Sequence, residues 1–238
     1  MVSSLLRAAF ETYGQCSFYE DAGSVLGTFH MRDGEMQDHL FFETVFSRPD
    51  RFRYKFVDRA SRGTYVVWTN AEQVRTWWSV RPKVSEFSSL ETALGGPAGI
   101  SGGSASAIPS LLVPFDSYES SWLWRYFGSA DEVGHEMIKG IETVKLHVEN
   151  PDGTFLERSL PEGIRKMVEG HGRSVPDLVR SRWKSRSLWI ACVDQTVRRQ
   201  EQQIDFGEHT TTTVITWKPR LDVSIDRHRF DFDPSLAK

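Results

Sequence analysis

The stretch Arg51-Phe52-Arg53-Tyr54-Lys55-Phe56 alternates basic and aromatic residues without a break. Successive side chains of a β-strand point to opposite faces of a sheet, so this order predicts a strand with one wet and one dry side. Similar period-2 segments flank it, and together they predict a meander of about five strands from Cys16 to Val80. Asp33-Gly34 is a hairpin signal between the first two strands. We therefore expect a mainly antiparallel β fold.

A helix is predicted before this meander. Leu6, Ala9, Phe10 and Tyr13 fall on one stripe at helical spacing, and Gly14 is a suitable stop. The stripe predicts a helix that packs one face against the sheet.

The period-2 pattern disappears around residues 82–138, where we predict a helical flap over the sheet. A capping box at Ser88 to Glu91 indicates a short helix that ends near Gly95-Gly96, followed by a loop rich in Gly and Ser. Leu111 and Leu112 belong to a second small apolar helix. This region has too few apolar residues for its own core, which favours an insertion over a second domain.

A second flap is predicted around residues 159–184, where two segments have the form of capped helix starts with an early Pro. Strands are predicted on either side of it, at Gly140 to Glu149 and in three segments from Ser187 to Lys218. The whole chain, residues 1–238, is interpreted as a single domain with α+β character, in which helical flaps accompany the sheet.

Composition and charge exclude several classes of protein. Lys+Arg number 29 against Asp+Glu 32, and this net charge of -3 argues against a general nucleic-acid binder. No run of about 18 apolar residues exists, so no transmembrane helix is expected. Aromatic residues make up 12% of the chain, which fits either a β-rich core or an apolar cavity. Cys16 and Cys192 are outside any Cys-x-x-Cys pair, so structural zinc is not expected, and they form either one disulfide or two free thiols.

Three patterns suggest a functional site, but a structural interpretation is favoured for each. Gly99-Ile100-Ser101-Gly102-Gly103 matches G-x-S-x-G, but no buried strand precedes it, so a flexible loop is favoured over a nucleophilic Ser101. His30 and His39 are candidates to face each other across the first hairpin. We interpret them as surface residues and predict no metal site. The basic face of Arg51 to Lys55 is interpreted as solvated, although it could steer an anionic head group.

Two sets of residues resemble a known family in their order and spacing. The first set is Phe46 to Arg53, which contains Arg48-Pro49-Asp50-Arg51, and then Tyr65 to Asn70. The second set is Leu188-Trp189-Ile190, Asp194 to Arg199, Phe206, Thr210 to Thr213, Trp217-Lys218-Pro219 and Phe230-Asp231-Phe232. Together they resemble the LolA/LolB-like superfamily of outer-membrane lipoprotein-sorting proteins, over most of the chain from Cys16 to Pro234.

The resemblance implies an unclosed β half-barrel of about eleven antiparallel strands. Helices would plug its concave face and leave an apolar cavity for acyl chains between them. The Arg48-Pro49 element would end one strand and start the next. A periplasmic or other extracytoplasmic location is also implied, which assumes a trimmed leader because Met1 to Arg7 lacks the features of a signal peptide. The absent leader and the long Gly/Ser-rich flap depart from the family.

The predicted function is therefore non-catalytic: the protein would bind a lipid or a lipidated protein and could transport it. The expected partners are the acyl chain of a lipid or lipoprotein and an envelope protein, and no cofactor is expected. The alternatives are an envelope sensor or protein-interaction module on the same fold and a serine hydrolase that uses Ser101. The residues predicted to line the cavity are Phe52, Tyr54, Phe56, Trp68, Trp78, Leu111, Leu112 and Trp122. The glycines predicted to act as flap hinges are Gly95, Gly96, Gly102 and Gly103.

Overall fold

The structure is a computed structural model that describes residues 4–61, 63–70, 73–112, 121–150, 182–207 and 209–236. Its strands are β1 (Phe18–Met31), β2 (Gly34–Ser47), β3 (Arg51–Asp58), β4 (Thr64–Asn70), β5 (Val74–Trp78), β6 (Arg81–Phe87), β7 (Asp131–Ile138), β8 (Ile141–Glu149), β9 (Arg182–Ala191), β10 (Val197–Asp205), β11 (Thr210–Thr216) and β12 (Arg220–Leu221). Its α-helices are α1 (Ser4–Gln15), α2 (Leu90–Ala98), α3 (Pro109–Leu112) and α4 (Trp122–Phe127).

All the described strands belong to one antiparallel sheet in the order β6-β5-β4-β3-β2-β1-β11-β10-β9-β8-β7. The two-residue strand β12 pairs with β1 beside this path. An N-terminal meander and a C-terminal meander thus meet where β1 pairs with β11, and β6 and β7 form the two edges. The sheet does not close, and helices cover one face of it. The predicted fold class, a mainly β unclosed half-barrel with helices on its concave face, is confirmed.

The β1–β2 hairpin forms where Asp33-Gly34 predicted it, with Met31 and Gly34 as the closing pair. The histidine prediction was wrong, because the register places His30 opposite Glu35 and His39 opposite Leu26. His30 Nδ1 lies 2.8 Å from Glu35 Oε1.

The concave face of the sheet is covered by α1, α2, α3 and the residues around them. Helix α1 buries the predicted stripe, Leu6, Ala9, Phe10 and Tyr13. The Tyr13 hydroxyl accepts a hydrogen bond of 2.9 Å from the Val197 backbone N–H, which ties α1 to β10.

Arg48, at the turn between β2 and β3, fixes the end of α1. Its Nε donates to the Cys16 carbonyl at 2.8 Å, and its Nη2 donates to the carbonyls of Tyr13 and Gly14 at 3.1 and 2.6 Å. The last carbonyls of a helix have no partner within the helix, and a cation there also complements the helix dipole. The Arg48-Pro49 element therefore does separate two strands, and it also caps a helix.

The opposite face of the sheet carries a second, smaller apolar cluster. Val66, Trp68 and Trp77 are buried there under Phe232, whose ring centroid lies 5.0 Å from that of Trp68. The nearby Phe230 is buried as well. Phe232 thus docks the C-terminal segment on this face of the sheet.

Both ends of the region predicted as the first flap, 82–138, are strands. Strand β6 and strand β7 are exposed along nearly their whole length, so neither has the alternation of apolar and polar residues that marks a half-buried strand. Charged residues and a proline at sheet edges are expected, because they discourage pairing with another chain. Of the second predicted flap, residues 159–181 lie outside the described residues, and residues 182–184 belong to β9.

Candidate functional site

Two adjoining cavities open on the concave face, between the sheet and residues 98–107. The first has a volume of about 330 Å³ and lies between this segment, α4, β9 and β10. The second has about 290 Å³ and lies over β1, β2 and β11. They share four lining residues, Gly99, Gly102, Gln202 and Ile204. Each volume is at the lower end of the range typical of small-molecule sites, so together they can hold a substantial ligand.

The linings of both cavities are largely apolar. The first is lined by Ala98, Gly99, Gly102, Gly103, Ser106, Ala107, Leu123, Tyr126, Phe127, Arg186, Gln200, Gln202 and Ile204. The second is lined by Val25, Gly27, Phe29, Asp38, Leu40, Gly99, Ile100, Gly102, Gln202, Ile204, Phe206, His209, Thr211 and Thr213. Such surfaces favour hydrocarbon over polar ligands, with Arg186 and the two glutamines as the main polar groups of the first cavity.

The segment that separates the cavities is packed against the sheet. Gly102 has a φ of +61°, and a Cβ at this position would lie 2.8 Å from Val25 Cγ1. Only glycine fits such a close approach in that backbone conformation. The Tyr54 hydroxyl forms a hydrogen bond of 2.7 Å with Ser104 Oγ, which anchors the segment to β3. The pattern of Gly and Ser that predicted a flexible loop thus forms a tightly packed turn.

Ser101 stabilises this turn through a hydrogen bond. It is completely buried, and its Oγ accepts a hydrogen bond of 3.1 Å from the Ala105 backbone N–H. A nucleophilic serine must reach its substrate, so the hydrolase alternative receives no support from this position.

The structure brings most of the predicted cavity residues together, but in the packed core. Phe52, Tyr54 and Phe56 are buried on the concave face with Leu111 and Leu112. Trp78 packs against the same core while partly exposed. None of these six lines either described cavity. Their role in ligand binding remains a prediction.

Two other predicted lining residues lie elsewhere. Trp68 points to the opposite face, where it contacts Phe232. Its inclusion in the concave lining was wrong, because β4 is apolar on both faces and the sequence does not show which one is concave. The side chain of Trp122 lies outside the described residues.

The four predicted hinge glycines fall into two pairs. Gly95 and Gly96 lie within α2, which continues through Pro97 to Ala98. Gly102 and Gly103 have positive φ angles of +61° and +94° and line the first cavity. A hinge function remains a prediction for all four glycines.

The basic face of β3 lies on the side of the sheet away from the cavities. Arg53 has a side-chain exposure of only 17%, and its Nη2 lies 3.7 Å from Glu43 Oε2. Burial lowers the pKa of Arg53, and Glu43 opposes that shift. Arg53 is therefore mostly buried and paired with Glu43, whereas the alternation of residues in β3 suggested a solvated side chain.

Sequence reasoning missed the residues that do line the first cavity, above all Arg186. Arg186, Leu188 and Ile190 alternate along β9, and the latter two are buried in the concave core. The detectable signal was an arginine at a position where this alternation calls for an apolar residue. The predicted strand began at Ser187, one residue too late to include it.

One group of possible metal ligands lies near the β7 edge, although no metal site was predicted. The donor atoms of His135, Glu142 and Cys192 lie within 4.8 Å of one another. His135 Nδ1 lies 2.9 Å from Glu142 Oε1, so a hydrogen bond between β7 and β8 already accounts for two of the three. Both cysteines are free thiols, and Cys16 is buried at the end of α1.

No α-helix in the described ranges has the length and apolar character needed to cross a membrane.

Comparisons with known proteins find similarity only at the level of solved structures. No family model and no curated protein matches the chain. LppX, a lipoprotein of Mycobacterium tuberculosis, has 14% identity and a TM-score of 0.44, with 94% of this chain and 97% of LppX covered. LprF from Mycobacterium bovis has 10% identity and a TM-score of 0.42, with 93% of each chain covered. The LolA superfamily protein NE2245 from Nitrosomonas europaea has 10% identity and a TM-score of 0.38, with 98% of each covered. Because these TM-scores are low, the proposals below depend on the chain's own geometry.

Proposed function

We propose that this protein binds the apolar chain of a lipid or a lipidated protein, without catalysis, in the two adjoining cavities. The observation that carries the proposal is a largely apolar, open space on the concave face of a sheet whose remaining concave surface is filled by its own helices. The proposal includes an extracytoplasmic location in the cell envelope, which depends on the resemblance of the sequence motifs.

The dimensions of the cavities suit a long hydrocarbon chain. From β9 through β10, β11 and β1 to β2 the lining crosses four strand spacings, or about 19 Å. A bilayer core about 30 Å thick accommodates two acyl chains end to end, so one chain is of similar length. Each buried CH₂ group contributes about 0.8 kcal/mol, which makes burial of one chain sufficient to offset the ordering cost of binding.

Gly99 offers a direct way to test whether the cavities bind such a chain. It lines both cavities, its backbone is helical, with φ of -70°, and a Cβ there would meet no atom within 4 Å. Gly99→Trp should therefore place an indole in the open space without backbone strain. Losing the burial of only two CH₂ groups would weaken binding by more than about tenfold.

The measurement is titration of delipidated protein with a fluorescent acyl probe, followed by native mass spectrometry after exposure to lipid. Gly95→Trp is the matched control, because Gly95 is also exposed and unobstructed in α2 but lines neither cavity. Saturable binding that Gly99→Trp abolishes and Gly95→Trp preserves supports the proposal. Absence of binding by the wild-type protein, or equal binding by both variants, contradicts it.

A further inference from the structure

Arg186 is a buried cation in the first cavity. It lies on β9 between Val148 of β8 and Gln202 of β10, and its side chain lines the cavity on the concave face. Only 7% of the residue is exposed. Arginine is almost never buried to this extent unless it is paired, so its partners need to be identified.

The observed neighbours of the guanidinium group are aromatic. Its Cζ lies 3.3 Å from the ring centroid of Tyr126 and 5.1 Å from that of Trp183. Burial lowers the pKa of Arg186, and the neighbouring Tyr126 opposes that shift. Tyr126 also forms a side-chain hydrogen bond with Arg186. Stacking on a ring stabilises a cation through the ring face, so the remaining N–H groups at the edge of the guanidinium plane are available to a ligand.

Within the described ranges, no carboxylate forms an ion pair with Arg186, and its Nε has no hydrogen-bond partner. Five other arginines of the sheet are each paired with a carboxylate. The pairs are Arg53 with Glu43, Arg75 with Glu86, Arg198 with Asp194, Arg199 with Glu201 and Arg220 with Glu20. A buried charge without a counter-charge destabilises a protein. Because the described part of the chain supplies none for Arg186, its position beside an open cavity points to a counter-ion that arrives with a ligand.

A second polar side chain of the same cavity, like the Nε of Arg186, has an atom without a hydrogen-bond partner in the described part of the chain. The side-chain oxygen of Gln200 is buried, and among the described residues it accepts no hydrogen bond. Gln200 and Arg186 line the same cavity and are joined there by Gln202. The buried cation and the unsatisfied amide oxygen thus lie together at the β9 and β10 end. The neighbouring cavity over β1 and β2 has the apolar residues Val25, Phe29 and Leu40, with Asp38, His209, Thr211 and Thr213 among its polar groups.

We propose that Arg186 binds the anionic group, a carboxylate or a phosphate, of an amphiphile whose hydrocarbon chain extends towards β1 and β2. This inference rests on the proposed function and specifies the ligand class of that site. The planar guanidinium fork matches both oxyanions through two parallel hydrogen bonds. The polar end of the ligand would compensate the buried charge, and the apolar remainder would fill the cavities.

The test compares two ligands that differ only in the head group. Delipidated wild-type protein is titrated with palmitate and with hexadecanol, which has the same chain length without the anion. We expect palmitate to bind at least about tenfold more tightly, as for a hydrogen-bonded charge pair. Arg186→Met should lower the affinity for palmitate to that for hexadecanol. The affinity for hexadecanol should stay unchanged. Titration with inorganic phosphate alone shows whether a small anion suffices without the chain.

Arg199→Met is the matched control, because Arg199 lies on β10 facing away from the cavities and pairs with Glu201. It removes the same charge and should preserve the preference for palmitate. Thermal unfolding without ligand gives an independent readout, since Arg186→Met should unfold at the same or a higher temperature. Arg186→Lys provides a second variant if Arg186→Met does not fold. Lysine keeps the positive charge but lacks the planar guanidinium group that forms two parallel hydrogen bonds.

The outcomes separate this inference from the proposed function. If neither amphiphile binds, the proposed function itself is wrong. If both bind with equal affinity, or if Arg186→Met retains the preference for palmitate, only the role of Arg186 is overturned. Phosphate binding that depends on Arg186, with no binding of palmitate, would identify a small-anion site instead and would overturn the amphiphile.

Discussion

Asp21 on β1 allows a sharp test of the core described above. It is 5% exposed, and its carboxyl group accepts hydrogen bonds from the Tyr19 hydroxyl at 2.6 Å and from the Thr44 backbone N–H at 2.9 Å. Burial raises the pKa of Asp21 from 3.8 to about 7, although these hydrogen bonds favour the charged form. We predict that Asp21→Asn stabilises the protein above pH 7.

The magnitude follows from the two pKa values. Between pH 4 and pH 7 the unfolded chain has lost the Asp21 proton while the folded protein retains it, so the free energy of unfolding falls as the pH rises. Each tenfold difference in proton affinity corresponds to about 1.4 kcal/mol, which gives about 4 kcal/mol across this range. An asparagine resembles the protonated carboxyl group and does not titrate. Asp21→Asn should therefore match the wild type near pH 4 and exceed it by up to about 4 kcal/mol at pH 8.

The assay is urea denaturation at several pH values, monitored by tryptophan fluorescence. Asp33→Asn, in the exposed turn of the same hairpin, controls for the loss of one negative charge. The difference between Asp21→Asn and wild type should grow with pH, whereas the control should show no such growth. A constant difference between pH 4 and pH 8 would falsify the claim that the folded protein holds this proton more tightly than the unfolded chain does.

Two further predictions concern the end of α1. Arg48→Ala removes the hydrogen bonds to the carbonyls of Tyr13, Gly14 and Cys16 and should lower the free energy of unfolding by about 1–3 kcal/mol, measured by chemical denaturation. Arg48→Lys should recover little of that loss, and an unchanged midpoint in Arg48→Ala would mean that water caps the helix equally well. A thiol reagent at pH 8 should label Cys192 and spare Cys16, because Cys16 is 3% exposed and burial raises its pKa to about 11. Equal labelling rates in the native protein would show that the end of α1 opens readily.

Part of the sheet was predictable because strands such as β3 bury only one face. The period-2 pattern located β1 to β5, and the apolar stripe of α1 predicted its four buried residues. Strands β6 and β7 bury neither face, so they carry no periodic signal and were interpreted as part of a flap. An edge strand exists because it pairs with a neighbouring strand of the sheet. The local sequence pattern of the edge strand gives no information about that pairing.

The position of the cavities could not be derived in the same way. The alternation of Phe52, Tyr54 and Phe56 shows that β3 has a dry face, but it does not show what covers that face. In the structure, helices and the turn anchored by Ser104 cover it, and the open space lies over β9 to β11 and β1. The better signal was Arg186, a charge within an apolar alternation, because a misplaced polar residue is informative where apolar residues are not.

The pairing of β1 with β11 has a consequence for how this chain is synthesised. Ser24 and Thr216 are hydrogen-bonded neighbours although 192 residues separate them in the chain. Both strands must therefore have left the ribosome before β1 can pair with β11, and contacts of such sequence separation form slowly. Until then the nascent meander exposes an unpaired strand border, on which β-rich chains aggregate. The interval between the synthesis of β1 and that of β11 is thus the stage of folding at which this chain is most exposed to aggregation.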